Sequence, residues 1–346
     1  MTKRETGVSQ PADCHVTRRE GTGKASTRFG REWQLMMRAA RLYYEDYLTQ
    51  QQIATELDVS RPTVSRLLTQ ARREGIVQIT IADPLTGHEE LADELVRSFG
   101  LKQAVLVAGE GLSAELLRRR LGIASAELLQ HRLNEGCQVG IGWGRTLGSV
   151  VEALDAQERL GIHVVPLIGG LGQVSPSFQV NELARRLAEA FGGTWQSFYI
   201  PAFVEDPAAL DGLLRLPDVE AVMKSWAHID VALVGIGHFA SQRQSSMLFY
   251  SYIGDNGLVG LEQCHAVGDI CGQFFDTQGA QCFEERRVIG IPLERLRALQ
   301  QVIAVAGGQE KVPAILGALR GGYVDILVTD SVSARGVLGL SRNAND

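Results

Sequence analysis

The sequence predicts an N-terminal all-α winged helix-turn-helix followed by a larger C-terminal α/β domain with a parallel-rich sheet. Three observations predict it: two short helix patterns joined by a tight turn between Thr49 and Gly75, a strand and helix alternation from Leu101 onward, and a charge that changes sign between the two parts. Residues 1–83 hold thirteen Lys and Arg against ten Asp and Glu, a balance of +3, which leaves −9 for residues 84–346 in a chain of net charge −6. A polyanion is therefore expected on the head, and small molecules or further copies of the chain on the acidic body. With 346 residues, 45% of them hydrophobic, the chain has length for two domains and material for their cores. The expected boundaries are 1–30 for a disordered tail, 31–83 for the helix-turn-helix domain, 84–99 for a linker helix and 100–346 for the α/β body.

The first 30 residues are polar, rich in Thr, Gly and Arg, and show no apolar period. From Trp33 to Tyr47 apolar residues recur at three and four, as an amphipathic helix requires. A second helix is expected to start at Thr49, a good N-cap, and to break at Asp58-Val59-Ser60. Asp58 tolerates the positive φ of a sharp turn, Ser60 can cap the third helix, and Pro62 fits its first turn. Gly75 closes that helix. Ala54 is small where helices cross, and Ile53, Leu57, Val59, Val64, Leu67 and Leu68 can fill a three-helix core.

The exposed side of the third helix would lie in the major groove of DNA. The residues placed there are Arg61, Thr63, Ser65, Arg66 and Gln70, with Arg72 and Arg73 nearer the phosphates. Four arginines and no acid between Arg61 and Arg73 suit phosphates and guanine edges. A plain helical hairpin with a solvated basic face is the alternative. After Gly75, IVQITIADP alternates like a short wing strand.

Residues 88–99 form the expected connecting helix, and beyond it apolar strands alternate with amphipathic helices to the C-terminus. Such a pattern predicts a mostly parallel sheet whose ligand binds outside the carboxyl ends of the strands, where the glycine loops lie. The loop GIGWGRTLG brings Gly142, Gly144 and Thr146 to a helix start, which suits a phosphate. A tight packing turn without a ligand is the alternative. A nicotinamide cofactor is disfavoured, because LGIHVV carries no acid where a ribose-binding carboxylate would stand. In AGGQEKVPAIL, Gly307 and Gly308 open a helix whose start carries Lys311, and a cation there is unfavourable unless an anion is close. Gly169, Gly170 and Gln173 offer backbone approach and a sugar-binding amide, and Asp269 is set between glycines to accept from hydroxyls. Asp276 reads as a turn residue and His238 as structural.

The cysteines (Cys14, Cys137, Cys264, Cys271, Cys282) are scattered and include no CxxC pair, so free thiols are expected. Cys264, His265, Cys271 and Cys282 match no common zinc spacing, and no metal is expected. No stretch approaches about 18 uninterrupted apolar residues and no secretory signal opens the chain. The expected compartment is the cytoplasm, without a membrane partner.

Taken together, LYYEDYLTQQQIATELDVSRPTVSRLLTQARREGIVQI, GIGWGRTL, VGDICGQFFD and AGGQEKVPAILGALRGG resemble the SorC/DeoR-type sugar-binding transcriptional regulators over roughly residues 33–340. The resemblance implies a body related in fold to the sugar-phosphate isomerase and CoA-transferase group, a homotetramer, and a sugar or polyol effector, phosphorylated by expectation. It makes residues 100–346 an effector-binding and oligomerisation domain and places effector contacts at Gly142, Gly144, Thr146, Gly169, Gly170, Gln173, Asp269 and Lys311. Cys264 and His265 stand where small residues are expected, and Asp58 replaces the common turn glycine. The function expected is regulation of a carbohydrate or polyol catabolic operon through operator DNA, with no cofactor and no catalysis. A sugar-phosphate isomerase or aldolase with an attached DNA-binding head is the alternative; it needs a positioned base or a Schiff-base lysine, and no acid partner for Asp269 is evident.

Overall fold

The computed structural model describes residues 23–343 except 45, 47, 78–87, 156–157, 173–175, 240–256 and 283–287. They form two compact units that divide between Asp83 and Pro84. The first holds helices α1 (Gly23–Tyr44), α2 (Gln50–Glu56) and α3 (Arg61–Arg73). Thr49 and Gln52 form a reciprocal capping box on α2. The Ser60 hydroxyl caps α3, accepting from the Thr63 N–H at 3.3 Å, and the turn before it holds Asp58 at φ 51°. Met36, Ala39, Ile53, Ala54, Val64, Leu67, Leu68 and Ala71 fill the core, with Leu57 and Val59 at its edge.

One sequence expectation shifts here. Helix α1 begins at Gly23, inside the stretch expected as tail. Apolar period detects a buried face, whereas a helix already nucleated by packing extends through any good helix formers, and Lys24, Ala25, Arg28 and Arg31 are such residues. Residues 1–22 of the tail and 78–84 of the expected wing lie outside the described residues.

The second unit is organised by a seven-stranded parallel sheet of β1 (Gln103–Val107), β2 (Gln138–Ile141), β3 (His163–Pro166), β4 (Thr194–Trp195), β5 (Val231–Gly235), β9 (Gln301–Val305) and β10 (Ile326–Asp330), in the order β1-β10-β9-β5-β2-β3-β4. Both faces are covered, so the strands are apolar almost throughout. Along β10, Ile326 and Val328 join one core while Leu327 joins the other. Helices α5 (Ala114–Gln130), α6 (Arg145–Glu152) and α7 (Val180–Ala190) close the first face. The other carries α4 (Glu89–Phe99), α9 (Pro217–Ser225), α12 (Val312–Arg320) and α13 (Ser331–Asn343), with α8 (Pro207–Leu214) and α11 (Leu293–Arg297) feeding the same core. On that face the Trp226 indole N–H donates to the Pro166 carbonyl at 2.9 Å.

The helix expected as a linker belongs to the body: α4 packs on β1 and α13, with Leu95 fully buried. A smaller antiparallel sheet, β6 (Gly237–His238), β7 (Gly268–Ile270) and β8 (Gln273–Phe275), stands beside α12. Residues 257–263 form helix α10, which leads into β7. Cys264 and Cys282 are joined in a disulfide, against the expectation of free thiols, whereas Cys137 and Cys271 are free and buried. The pair has a sequence separation of 18, and only the fold of the β7–β8 hairpin brings the two together. Cys14 lies outside the described residues.

Candidate functional site

The loops that follow β1, β2, β5, β9 and β10 meet in one cavity of about 440 Å³. It opens at the carboxyl ends of the strands, the end at which open α/β sheets bind ligands. Gly142, Gly144, Thr146, Asp269, Gly307, Gly308 and Lys311 line it together, although they are spread over 170 positions of sequence.

Lys311 ends a short 3-10 turn, Gln309–Lys311, that precedes α12. Its ammonium donates to the Ile236 carbonyl at 2.7 Å. Burial depresses its pKa, and the carboxylates of Asp269 and Glu310 oppose that while Arg145 and Arg118 add to it. Asp269 is buried, and burial pushes its carboxyl up to about 6 against the opposing influence of the Gly272 N–H and the Lys311 charge. That N–H donates to Oδ2 at 3.0 Å. Beside it, a Cβ on Gly237 would fall 1.9 Å from Asp269 Oδ1, so only glycine leaves the carboxylate its place. His238 also lines the cavity; burial first and then the Lys311 charge lower its pKa, so it is a neutral hydrogen-bonding group near pH 7. The Cys271 thiol is pushed up by burial.

The glycine loops hold fewer free donors than the sequence suggests. Gly142 donates its N–H to Leu233 at 3.0 Å and Gly144 to Phe178 at 3.2 Å. Gly308 donates to Asp330 Oδ2 at 2.8 Å and to the Ser333 hydroxyl at 2.9 Å. No side chain caps α6, which leaves the first-turn N–H groups of Arg145, Thr146 and Leu147 at the cavity wall. Gly144, at φ 124°, turns the chain into that helix start. Gly169 and Gly170 do not line this cavity. Their N–H groups bond Ile289 at 2.9 Å and Ile200 at 2.7 Å, and a Cβ on Gly169 would lie 2.6 Å from the Ile200 carbonyl, so Gly169 serves close backbone packing. Gln173 lies outside the described residues. His265 is exposed and, like Cys264, is not in the cavity wall.

Several lining residues escaped the sequence reading. Arg118 from α5 and Arg145 from α6 face the same space, and burial, then the Arg145 charge, lowers the Arg118 pKa. Glu310 joins them. The signal for Arg118 was present in GEGLSAELLRRR, a glycine loop between a strand and a helix capped by Ser113. Asp330, at the end of β10, caps α13 through the N–H groups of Val332 and Ser333 and so fixes the floor of the cavity. Among the described residues no His, Cys, Asp and Glu group could hold a metal ion, and no helix is long and apolar enough to cross a membrane.

On the first unit, α3 exposes Arg61, Ser65, Arg66, Arg72 and Arg73. Thr63 and Gln70 are half-buried at the flank, and the Thr63 hydroxyl lies 2.8 Å from that of Ser60. Exposed Thr69, which the sequence reading passed over, sits amid the arginines. The 3.6-residue turn places 65, 66, 69, 72 and 73 on one face, opposite buried Val64, Leu67, Leu68 and Ala71. A convex helix face with this charge fits a major groove.

Residues 83–339 match the family described as "Putative sugar-binding domain", and residues 33–86 match the Crp-like helix-turn-helix domain. The chain is 34% identical over 304 residues to the sorbitol operon regulator of Klebsiella pneumoniae, covering 87% of this chain and 96% of that one. It is 32% identical over 308 residues to the deoxyribonucleoside regulator of Bacillus subtilis, covering 88% and 97%. The crystal structure of the full-length sorbitol operon regulator SorC from Klebsiella pneumoniae superposes with a TM-score of 0.72 at 33% identity, over 88% of this chain and 98% of that one. These relatives are named as regulators and not as enzymes.

Proposed function

The chain belongs to the SorC/DeoR-type sugar-binding transcriptional regulators, and from that premise we propose that its body binds a phosphorylated sugar or polyol and thereby sets the affinity of its head for the operator of a carbohydrate or polyol catabolic operon. The convergence of Lys311, Arg118, Arg145 and buried Asp269 on one cavity carries this reading. Cations sharing a partly desolvated space favour a ligand with at least one strong anionic group, and a phosphate monoester supplies it. The first-turn N–H groups of α6 and the Thr146 hydroxyl add donors for its oxygens. Asp269 and Glu310 then accept from the hydroxyl groups of the carbon chain.

Arg61, Thr63, Ser65, Arg66 and Gln70 would read base edges, and Arg72 and Arg73 the phosphates. Regulation requires two states with different ligand affinity, and coupling of about 1–3 kcal/mol changes operator affinity roughly 5- to 150-fold. A homotetramer acting in the cytoplasm completes the proposal. The test is a thermal-shift screen of the full chain against phosphorylated and free sugars and polyols, followed by operator binding with each hit. A phosphorylated compound that raises the midpoint and changes operator affinity supports the reading. A screen in which only unphosphorylated sugars shift the midpoint overturns the phosphate assignment.

A further inference from the structure

The disulfide between Cys264 and Cys282 encloses the hairpin that supplies the cavity's buried carboxylate. Cys264 follows α10 and Cys282 follows β8, and the 5.8 Å between their Cα atoms is ordinary for a disulfide. The path from sulfur to cavity is short. The Cys282 N–H donates to the Phe274 carbonyl at 2.8 Å, and Phe274 pairs across the hairpin with Asp269. On the other side, Cys264 leads within five residues to the same carboxylate.

The enclosed segment also holds its backbone in unfavourable conformations. His265 has φ 55° and Cys271 φ 52°, two of the three non-glycine residues with positive φ among those described. Neither is a β-turn glycine or Asn, and such conformations persist only where the surroundings over-determine them. The disulfide is a covalent part of that constraint, next in sequence to His265. Cys264 is half-buried and so within reach of a small reagent, whereas Cys282 is 4% exposed. In the cytoplasm, the compartment proposed above, protein disulfides are usually transient and redox-sensing.

We propose that Cys264 and Cys282 form a reversible dithiol–disulfide site that sets how firmly the β7–β8 hairpin holds Asp269 at the cavity. The partner reagent is a low-molecular-weight disulfide. The Cys264 thiolate attacks one of its sulfurs, breaking that S–S bond and releasing one small thiolate. The Cys282 thiolate, its proton passed to solvent, then attacks Cys264 Sγ and expels the second. Two protein thiols are oxidised to one disulfide, and one small disulfide is reduced to two thiols.

The test uses the full chain with Cys14→Ser, which keeps a third thiol out of the exchange, equilibrated in glutathione mixtures from oxidising to reducing. Alkylation with mass mapping reports the bond, and amide hydrogen exchange of residues 268–275 reports the hairpin. The expected result is a Cys264–Cys282 bond that forms and breaks across the series, with exchange at 268–275 rising about tenfold on reduction. Cys264→Ser should exchange like the reduced protein in every mixture. The proposal is overturned if both thiols alkylate in the oxidising mixtures, if the bond survives millimolar reduced glutathione, or if exchange is the same in both states. None of these readouts depends on the identity of the effector.

Discussion

Replacing Asp269 with Asn removes a buried carboxylate while keeping its size and an oxygen for the Gly272 N–H. In the folded chain this acid keeps its proton up to about pH 6, whereas its ordinary pKa is 3.8. A folded pKa above the unfolded one means that ionisation costs stability. The penalty is absent below 3.8, grows as pH rises through the interval, and is complete above about 6. The displacement from 3.8 to about 6 corresponds to about 3 kcal/mol. Asn escapes that penalty but brings an NH₂ group that needs a partner, at about 1–3 kcal/mol regardless of pH. The absolute stability difference therefore mixes two effects, and its pH dependence isolates one. Urea unfolding of the body, followed by tryptophan fluorescence between pH 4 and pH 8, should show the variant gaining about 2–3 kcal/mol on the parent between pH 4 and pH 7. Titration of His238 occurs in both proteins and cancels in the difference. Parallel pH profiles would refute the argument that Asp269 is held at the cavity against its own ionisation.

Arg66→Ala should weaken operator binding by about 1–3 kcal/mol at fixed salt with an unchanged circular dichroism spectrum, and an unaltered affinity by fluorescence anisotropy removes Arg66 from the interface. Lys311→Ala should abolish the thermal stabilisation given by an effector while leaving operator binding intact; a shift equal to that of the parent excludes Lys311 from the site. Gly237→Ala puts a methyl 1.9 Å from Asp269 Oδ1, so it should destabilise the body by about 1–3 kcal/mol and weaken the effector response, as a denaturation series and a ligand titration would show. Leu95→Ala should cost the body about 2–5 kcal/mol, because α4 is part of its core, and a loss below about 0.5 kcal/mol would return that helix to the role of a free connector.

Much of the architecture was legible because it follows from local rules. Thr49, Asp58, Ser60 and Gly75 are each the residue type that their backbone position demands, and the structure gives each the cap or the positive φ expected of it. The parallel sheet was legible in its near-continuous apolar strands. What sequence could not give was distance. Gly169 reads like any ligand-approaching glycine until the Ile200 carbonyl is seen 2.6 Å from its absent Cβ. Cys264 and Cys282 look unrelated across a separation of 18 until the hairpin folds. Arg118 stands among consecutive arginines, and helical phase alone turns it, and not Arg119, toward the cavity. For the glycine and the cysteines the deciding contact comes from another element, which composition and spacing do not encode, whereas the glycine loop before the Ser113-capped helix already marks Arg118 in the sequence.

Lys311 shows why this cavity suits sensing better than turnover. A lysine that forms a Schiff base needs a neutral amine free to attack; burial moves Lys311 toward that form, but the Asp269 and Glu310 carboxylates oppose the shift and its Nζ is committed as donor to the Ile236 carbonyl. Burial first and then the neighbouring Arg145 charge depress the Arg118 pKa. Arg118, Arg145 and Lys311 stand in the cavity wall among the carboxylates of Asp269, Glu310 and Asp330, and an anion seated between the cations would offset their repulsion. Relief of that kind is available only to the folded state, so a ligand at 100 times its Kd adds about 2.7 kcal/mol to the stability of the body. The same free energy, divided unequally between two conformations of the body, is of the size that a change in operator affinity requires.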